Sequence, residues 1–190
     1  MSALHNWNLV SVEDYLATES TSRVKHEYVG GVVHAMSGGS NVRQLVASNV
    51  LGSLHGRQRG KPCRAYNSDT KIRIDAAGQT RFYYPDASVI CRSNPPEDTF
   101  QDEPVLIVEV LSPSTRRIDL GEKKDAYFSI PSLSVYLLLE PDTPTAIVFR
   151  CTDQGFVREL FEGLAAIIPL PELGIELPLV EIYEAVEMDK

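Results

Sequence analysis

The run from Val105 to Leu111 (VLIVEVL) constrains this chain more than any other stretch. It is apolar throughout except for Glu109 and is rich in β-branched residues, the pattern of a strand buried on both faces. A carboxylate in the middle of such a strand is costly unless it is paired, protonated or bound to a cation. Asp86 repeats the oddity: in FYYPDASVIC, Phe82 to Cys91, it stands at the head of a second apolar strand. Two acids entering a core from two strands, with Lys123 downstream, point to a divalent-metal site. Mg²⁺ (or Mn²⁺) takes oxygen ligands and keeps several waters, so one or two carboxylates and a substrate phosphate suffice to hold it. Such an ion lowers the pKa of a bound water and polarises a phosphoryl oxygen. A lysine close by acts as a compact point charge that orients the water or meets developing charge.

The stretches around this centre read in order. Ser11 begins a capping box, with Asp14 at its third position, and VEDYLATE follows as a short amphipathic helix with Val12, Tyr15 and Leu16 on one face. Lys25 to Met36 (KHEYVGGVVHAM) is a hairpin turning at Gly30-Gly31, with Glu27 on its first arm. After the SGGSN loop, apolar residues at Val42, Leu45, Val46, Val50 and Leu54 predict a core-facing helix of four or five turns, ended by Gly60 and Pro62. CRAY and DTKIRI are strands; in the second, Ile72 and Ile74 alternate with Lys71 and Arg73, giving an apolar and a cationic face. Asp75 to Thr80 is a turn, Phe82 to Cys91 one strand, and Arg92 to Glu103 an exposed connection. Ile118 to Ser129 is a helix with Ile118, Tyr127 and Phe128 as core contacts. VYLLL is a buried strand, AIVFRC its hairpin partner, Phe156 to Phe161 an edge strand, and Leu173 to Met188 a proline-interrupted apolar segment with a last helix. The fold class is α/β (α+β): a mixed sheet flanked by helices, with an N-terminal helix and β-hairpin.

At 190 residues, with no repeat and no long linker, the chain is expected to form one domain over 1–190. No apolar run approaches the ~20 residues of a bilayer span, and MSALHNWNLV has no basic start followed by an apolar core. A cytoplasmic protein without a membrane partner is therefore expected. Cys63, Cys91 and Cys151 are far apart and outside any CxxC spacing, so they read as buried reduced thiols. The net charge of −8 argues against strong non-specific attraction to nucleic acid, although two local basic clusters exist. Arg57, Arg59, Lys61 and Arg64 form one, and Arg116, Arg117, Lys123 and Lys124 the other. Charge runs of this kind are usually solvated faces.

The segments YYPDASVIC and PVLIVEVLSPSTRRIDLGEKKDAYFSIPSLSVYLLLEP resemble the Uma2 family, a bacterial group assigned to the PD-(D/E)XK endonuclease superfamily. HEYVGGVVHAMSGGS and SDTKIRI carry the likeness more loosely, so that it spans nearly the whole chain. The resemblance implies a restriction-endonuclease-like fold and metal-dependent hydrolysis of phosphodiester bonds, with DNA as the expected partner. It implies Asp86 and Glu109 as catalytic metal ligands and Glu27 as a further ligand or a support to them. The superfamily's lysine lies two residues after the second acid, where this chain has Leu111. The lysine in that role is Lys123 on the following helix; Lys124 is its competitor, and adjacent helical residues point about 100° apart. Many members carry a His at the start of the long helix, and here Arg43 takes the place, either holding phosphate or marking an altered site. Lys71, Arg73 and Arg116 are the other cations expected to meet phosphate at the cleft. A homodimer, which would set two sites on one duplex, stays open.

A different class of function is carried beside this one: a non-catalytic nucleic-acid- or protein-interaction module that keeps the nuclease fold. The acidic charge and Arg43 motivate it. The discriminating observation is whether the cleft by Asp86 is open and lined by cations such as Lys71, Arg73 and Arg116; a filled, apolar cleft favours the module. Glu109 and Lys123 on opposite sides of the molecule would sink the enzyme, because reacting groups must come within hydrogen-bond reach.

Overall fold

The computed structural model describes residues 9–187. The first eight residues, read above for a leader, and Met188 lie outside the described residues. At the centre stand β8 (Pro104–Val110) and β9 (Val135–Leu139), two parallel strands whose side chains are nearly all buried. They belong to a six-stranded sheet completed by β3 (Arg64–Asn67), β6 (Ala87–Ile90), β10 (Thr145–Thr152) and β11 (Gly155–Glu162), in the order β11-β10-β9-β8-β6-β3. The other pairings in this sheet are antiparallel.

Strand alternation decides what each face does. Leu106, Val108 and Val110 join one cluster, built with Val46, Val50 and Leu54 of α2 (Asn41–Gln58). The hairpin β12 (Ile167–Leu170) and β13 (Ile175–Pro178), with α5 (Leu179–Ile182), closes that side. Ile107 and Leu111 join the opposite cluster, with Tyr136 and Leu138 of β9. Glu109 has their parity, so its carboxylate is sent to that second face.

A five-stranded sheet covers the second face through Ile72, Ile74 and Tyr83. It comprises β1 (His26–Val29), β2 (Val32–Ala35), β4 (Lys71–Ala76), β5 (Gln79–Tyr83) and β7 (Phe100–Gln101), ordered β2-β1-β5-β4-β7. Gly30 and Gly31 make the expected hairpin, both with positive φ (55° and 100°), a region closed to most side chains. α1 (Val12–Glu19) is capped by Ser11, whose side chain accepts from the Asp14 amide, and it packs Tyr15 against Tyr28 and Phe82.

Four expectations are corrected. Phe82 to Cys91 is not one strand: β5 ends before Tyr84-Pro85-Asp86 and β6 begins after it, in the other sheet. Pro85 has no N–H to continue a ladder, so the chain changes sheets there and delivers Asp86 at the crossing. The helix expected over Ile118 to Ser129 is two pieces, α3 (Arg116–Asp119) and α4 (Glu122–Tyr127), and Ile118 is exposed. Gly121 sits at the break with φ −120° and ψ −101°, and a Cβ there would lie 2.8 Å from the Arg117 carbonyl oxygen. Gly121→Ala is therefore expected to destabilise the fold by about 1–3 kcal/mol, as overpacking does, visible as a lower midpoint in chemical denaturation. Lys71, placed on a cationic open face, is buried.

The cysteines are the fourth correction. Cys63 and Cys91 form a disulfide and Cys151 is exposed. The register that pairs Arg64 with Ile90 brings the two half-cystines opposite each other at the next position, a pairing that their spacing along the chain does not reveal. The bond closes a loop across a sequence separation of 28. Chain entropy then predicts a loss of about 2–4 kcal/mol for Cys63→Ser, read as a fall in unfolding midpoint that reducing agent reproduces in the parent. Among the described residues no helix is long and apolar enough to cross a membrane.

Candidate active site

Between the two sheets, beside α4, lies a cavity of about 250 Å³. Glu27 of β1, Glu109 of β8 and Lys123 of α4 reach it together, with Arg43 of α2 on one side and Tyr83, Glu122 and Thr115 on others. Each arrives for a stated reason. β1 pairs with β5, and the Gly30-Gly31 turn fixes its register. Glu109 is turned inward by the parity of β8. Lys123 follows the Gly121 break, which re-aims the chain into α4.

Lys123 is the hub. Its Nζ lies 2.8 Å from Glu27 Oε1, donates to Glu109 Oε1 at 3.3 Å, and stands 3.8 Å from Asp119 Oδ1. Glu109 is 1% exposed, Lys123 6% and Asp119 0%, so these charges interact with little screening by water. Tyr127 donates a second hydrogen bond to Glu109 Oε1 at 3.1 Å. Burial pushes the Glu109 carboxyl up to about 8, with Lys123 pulling the other way. Burial likewise raises Asp119, again against Lys123. For Lys123 burial opposes the charge, but Glu109, Glu27 and Asp119 together hold it above the ordinary lysine range.

Asp86 forms a second unit alongside. Its Oδ2 accepts from the Val110 amide at 2.7 Å and from Arg43 Nη2 at 2.8 Å, while Arg43 Nε donates to the Val110 carbonyl at 2.7 Å. The β6–β8 register pairs Ala87 with Val108, so Asp86 stands across from Glu109 at the strand ends. Asp86, Glu109 and Glu27 do not close into a three-ligand cage: among the described residues no group of three His, Cys, Asp or Glu side chains is disposed to hold an ion.

The other expected cations are placed elsewhere. Lys71 is buried against Tyr84, 3.4 Å from its hydroxyl. Arg73 makes a two-pronged pair with Asp102, both contacts 2.8 Å, and Arg116 holds Glu140 at 2.7 Å. Only Arg43 of these four lines the cavity. Lys124 turns outward, to Asp125 and the rings of Phe128 and Phe149, so the helix geometry aims Lys123, not its neighbour, at the acids. Asp119 and Glu122 were not singled out in the sequence, and Tyr127 was read there as a core contact and not as a partner of Glu109. Asp119 had one available signal: it lies four residues before Lys123, the spacing of neighbours on a helix.

The profile of the Uma2 family, described as "Putative restriction endonuclease", matches residues 12–180. The chain belongs to the Uma2 family. Two Synechocystis proteins are similar to this Uma2 chain. The uncharacterized protein slr1290 is 33% identical over 175 residues, 92% of this chain and 91% of its own. The uncharacterized protein sll1609 is 27% identical over 143 residues, 74% and 80% of the two chains. The crystal structure of a putative nuclease belonging to DUF820 from Anabaena variabilis shares the fold, with a TM-score of 0.72 at 17% identity, covering 92% of this chain and 97% of that one. In this Uma2 chain, Asp86 and Glu109 sit at adjoining strand ends, and Lys123 reaches Glu109 from α4.

Proposed function

We propose that this Uma2 protein is a divalent-metal-dependent endonuclease that hydrolyses phosphodiester bonds in DNA, with Asp86, Glu109 and Lys123 as its catalytic residues. The observation that carries the reading is the meeting of Glu27, Glu109 and Lys123 in one cavity, with Asp86 held next to it by the cavity-lining Arg43. The donor set fits Mg²⁺ or Mn²⁺. The carboxylate oxygens of Glu109 and Glu27, the latter 2.8 Å from Lys123 Nζ, are donors of the kind a hard cation takes. Glu109 and Asp86, at adjoining strand ends, would hold the ion with Glu27 beside them as support, leaving its remaining positions to water and phosphate. When bound, the metal supplies an activated water and charge at the phosphoryl group.

The chain's own residues do the rest. Arg43 and the Val110 amide hold Asp86 next to the cavity. Tyr127 fixes the Glu109 carboxylate from inside. Lys123, held protonated by three acids, presents a cation next to the reacting phosphate, where a point charge stabilises oxyanion development. Arg43, in the place of a family histidine, serves first as the partner of Asp86.

One observation favours the non-catalytic module. Lys123 already pairs with Glu27 and Glu109, and Arg43 with Asp86, so each of these acids has a cationic partner without an ion. Calorimetric titration of Mg²⁺ and Mn²⁺ into wild type and Glu109→Ala, with and without a short duplex, tests the two. Binding that vanishes in the variant, together with cleavage of DNA by wild type, supports the enzyme. No heat in either titration and no cleavage would leave the module.

A further inference from the structure

β3 is an edge strand of the six-stranded sheet, and α2 runs beside it. Between them lies a groove in two continuous sections of about 460 and 230 Å³ that share His55 and Ala65. It begins at Asn67, which pairs with Ala87, the residue after Asp86. It ends at Arg64, Arg59 and Gly60, three strand residues and about three helix turns away.

From α2 the groove takes Ser48, Gly52, His55 and Arg59, spaced four, three and four apart along one helical face. From β3 it takes Tyr66 and Arg64. No carboxylate lines either section, in a chain of net charge −8. Arg59 and Arg64 are exposed and, among the described residues, form no ion pair with an acid. A Cβ added at Gly52 would meet nothing within 4 Å, so the wall there is bare helix backbone facing open space.

Cations in the last turn of a helix are ordinary complements to its dipole. They do not account for Gln58. It lines the far section and is 3% exposed, yet neither its Oε1 nor its Nε2 has a hydrogen-bond partner. A buried amide left unpaired costs about 1–3 kcal/mol, and such groups ask for a ligand or a water.

We infer that the α2–β3 groove is a nucleic-acid subsite that holds the strand flanking the scissile phosphate, with Arg59 and Arg64 on its phosphates. The class of ligand rests on the proposed nuclease reading. Eleven residues of helix from Ser48 to Arg59 span about 16 Å, enough for four to five nucleotides at roughly 3.4 Å each. Cationic contact to the backbone is the element of strand binding that needs no sequence preference.

The test is fluorescence anisotropy with labelled single-stranded and duplex oligonucleotides, without metal, across a salt series. Three chains are compared: wild type, Arg59→Ala/Arg64→Ala, and Gly52→Leu. The double variant is expected to weaken binding roughly tenfold or more at low salt and to lower the slope of log K against log salt by about 1.4–1.8, two phosphate contacts. Gly52→Leu fills the groove without changing charge, so it should weaken binding with the slope unchanged. Whichever oligonucleotide shows the larger loss identifies the strand form. Cleavage of a small phosphodiester that occupies the cavity alone should be the same in all three. If wild type cleaves DNA but neither variant alters affinity or slope, the subsite is wrong and the nuclease reading stands. If no cleavage is found yet both variants lose binding, the subsite stands and the catalytic reading falls. A wild type that binds no oligonucleotide at low salt overturns the subsite.

Discussion

Glu109→Gln is expected to lower metal-dependent cleavage by at least roughly 10³-fold and, at the same time, to flatten the dependence of stability on pH. The substitution keeps the side chain's size and its ability to accept from Lys123 and Tyr127, so a folded variant is expected. What it removes is the charge offered to an ion. Losing about 4 kcal/mol of transition-state stabilisation corresponds to that fold-change.

The second effect follows from burial. Glu109 is raised from the ordinary 4.5 to about 8 in the folded chain. Between those values the native state keeps a proton that the unfolded chain has released, so stability falls as pH rises through the window. The contribution is complete below about pH 4.5 and gone above about 8, with a slope of at most about 1.4 kcal/mol per pH unit. Guanidinium unfolding of wild type and Glu109→Gln at pH 5, 6.5 and 8, without divalent metal, reads it. Parallel trends in the two chains would show that Glu109 does not titrate in this range.

What could be read in advance, and what could not, divides along a physical line. Burial of Val105 to Leu111, the Gly30-Gly31 hairpin and the Ser11 cap are local: hydrophobic pattern, positive-φ turn chemistry and a hydrogen-bonding side chain at a helix start determine them. The inward acid at Glu109 was legible because a charge in an apolar strand has few explanations. The break at Gly121 was missed because the apolar spacing runs through it, and only the closeness of the Arg117 carbonyl enforces it. The change of sheet at Pro85 was missed because an apolar run looks the same in one sheet or two. The Cys63–Cys91 bond depends on the register between β3 and β6, a long-range property with no local trace. Lys71, Arg73 and Arg116 looked like available cations because their acid partners lie far along the chain or across the fold: Asp102 for Arg73, Glu140 for Arg116, and the Tyr84 and Glu19 environment for Lys71. Choosing between Lys123 and Lys124 needed only a direction, and the sequence could not supply it without the helix axis.

The largest loss of stability is expected from Lys123→Met, about 3–5 kcal/mol, because it strips the one cation from three buried acids. Methionine fills much the same volume, so a cavity is a small part of the cost. The remaining part is electrostatic: Glu27, Glu109 and Asp119 would face one another in a site where Glu109 and Asp119 are already pushed toward their neutral forms by burial. Two comparisons isolate this. Lys124→Met, one residue on and turned outward, should change stability by less than about 0.5 kcal/mol. Lys123→Met combined with Glu109→Gln should cost less than the two single changes added together, by at least about 1 kcal/mol, since the second substitution removes one of the charges stranded by the first. Chemical denaturation of the four chains at pH 9, above the raised Glu109 value, gives the cycle. Additive costs would mean that Lys123 stabilises the fold through packing alone, and the cluster would then lose its standing as a charge-balanced site that an arriving cation and phosphate reorganise.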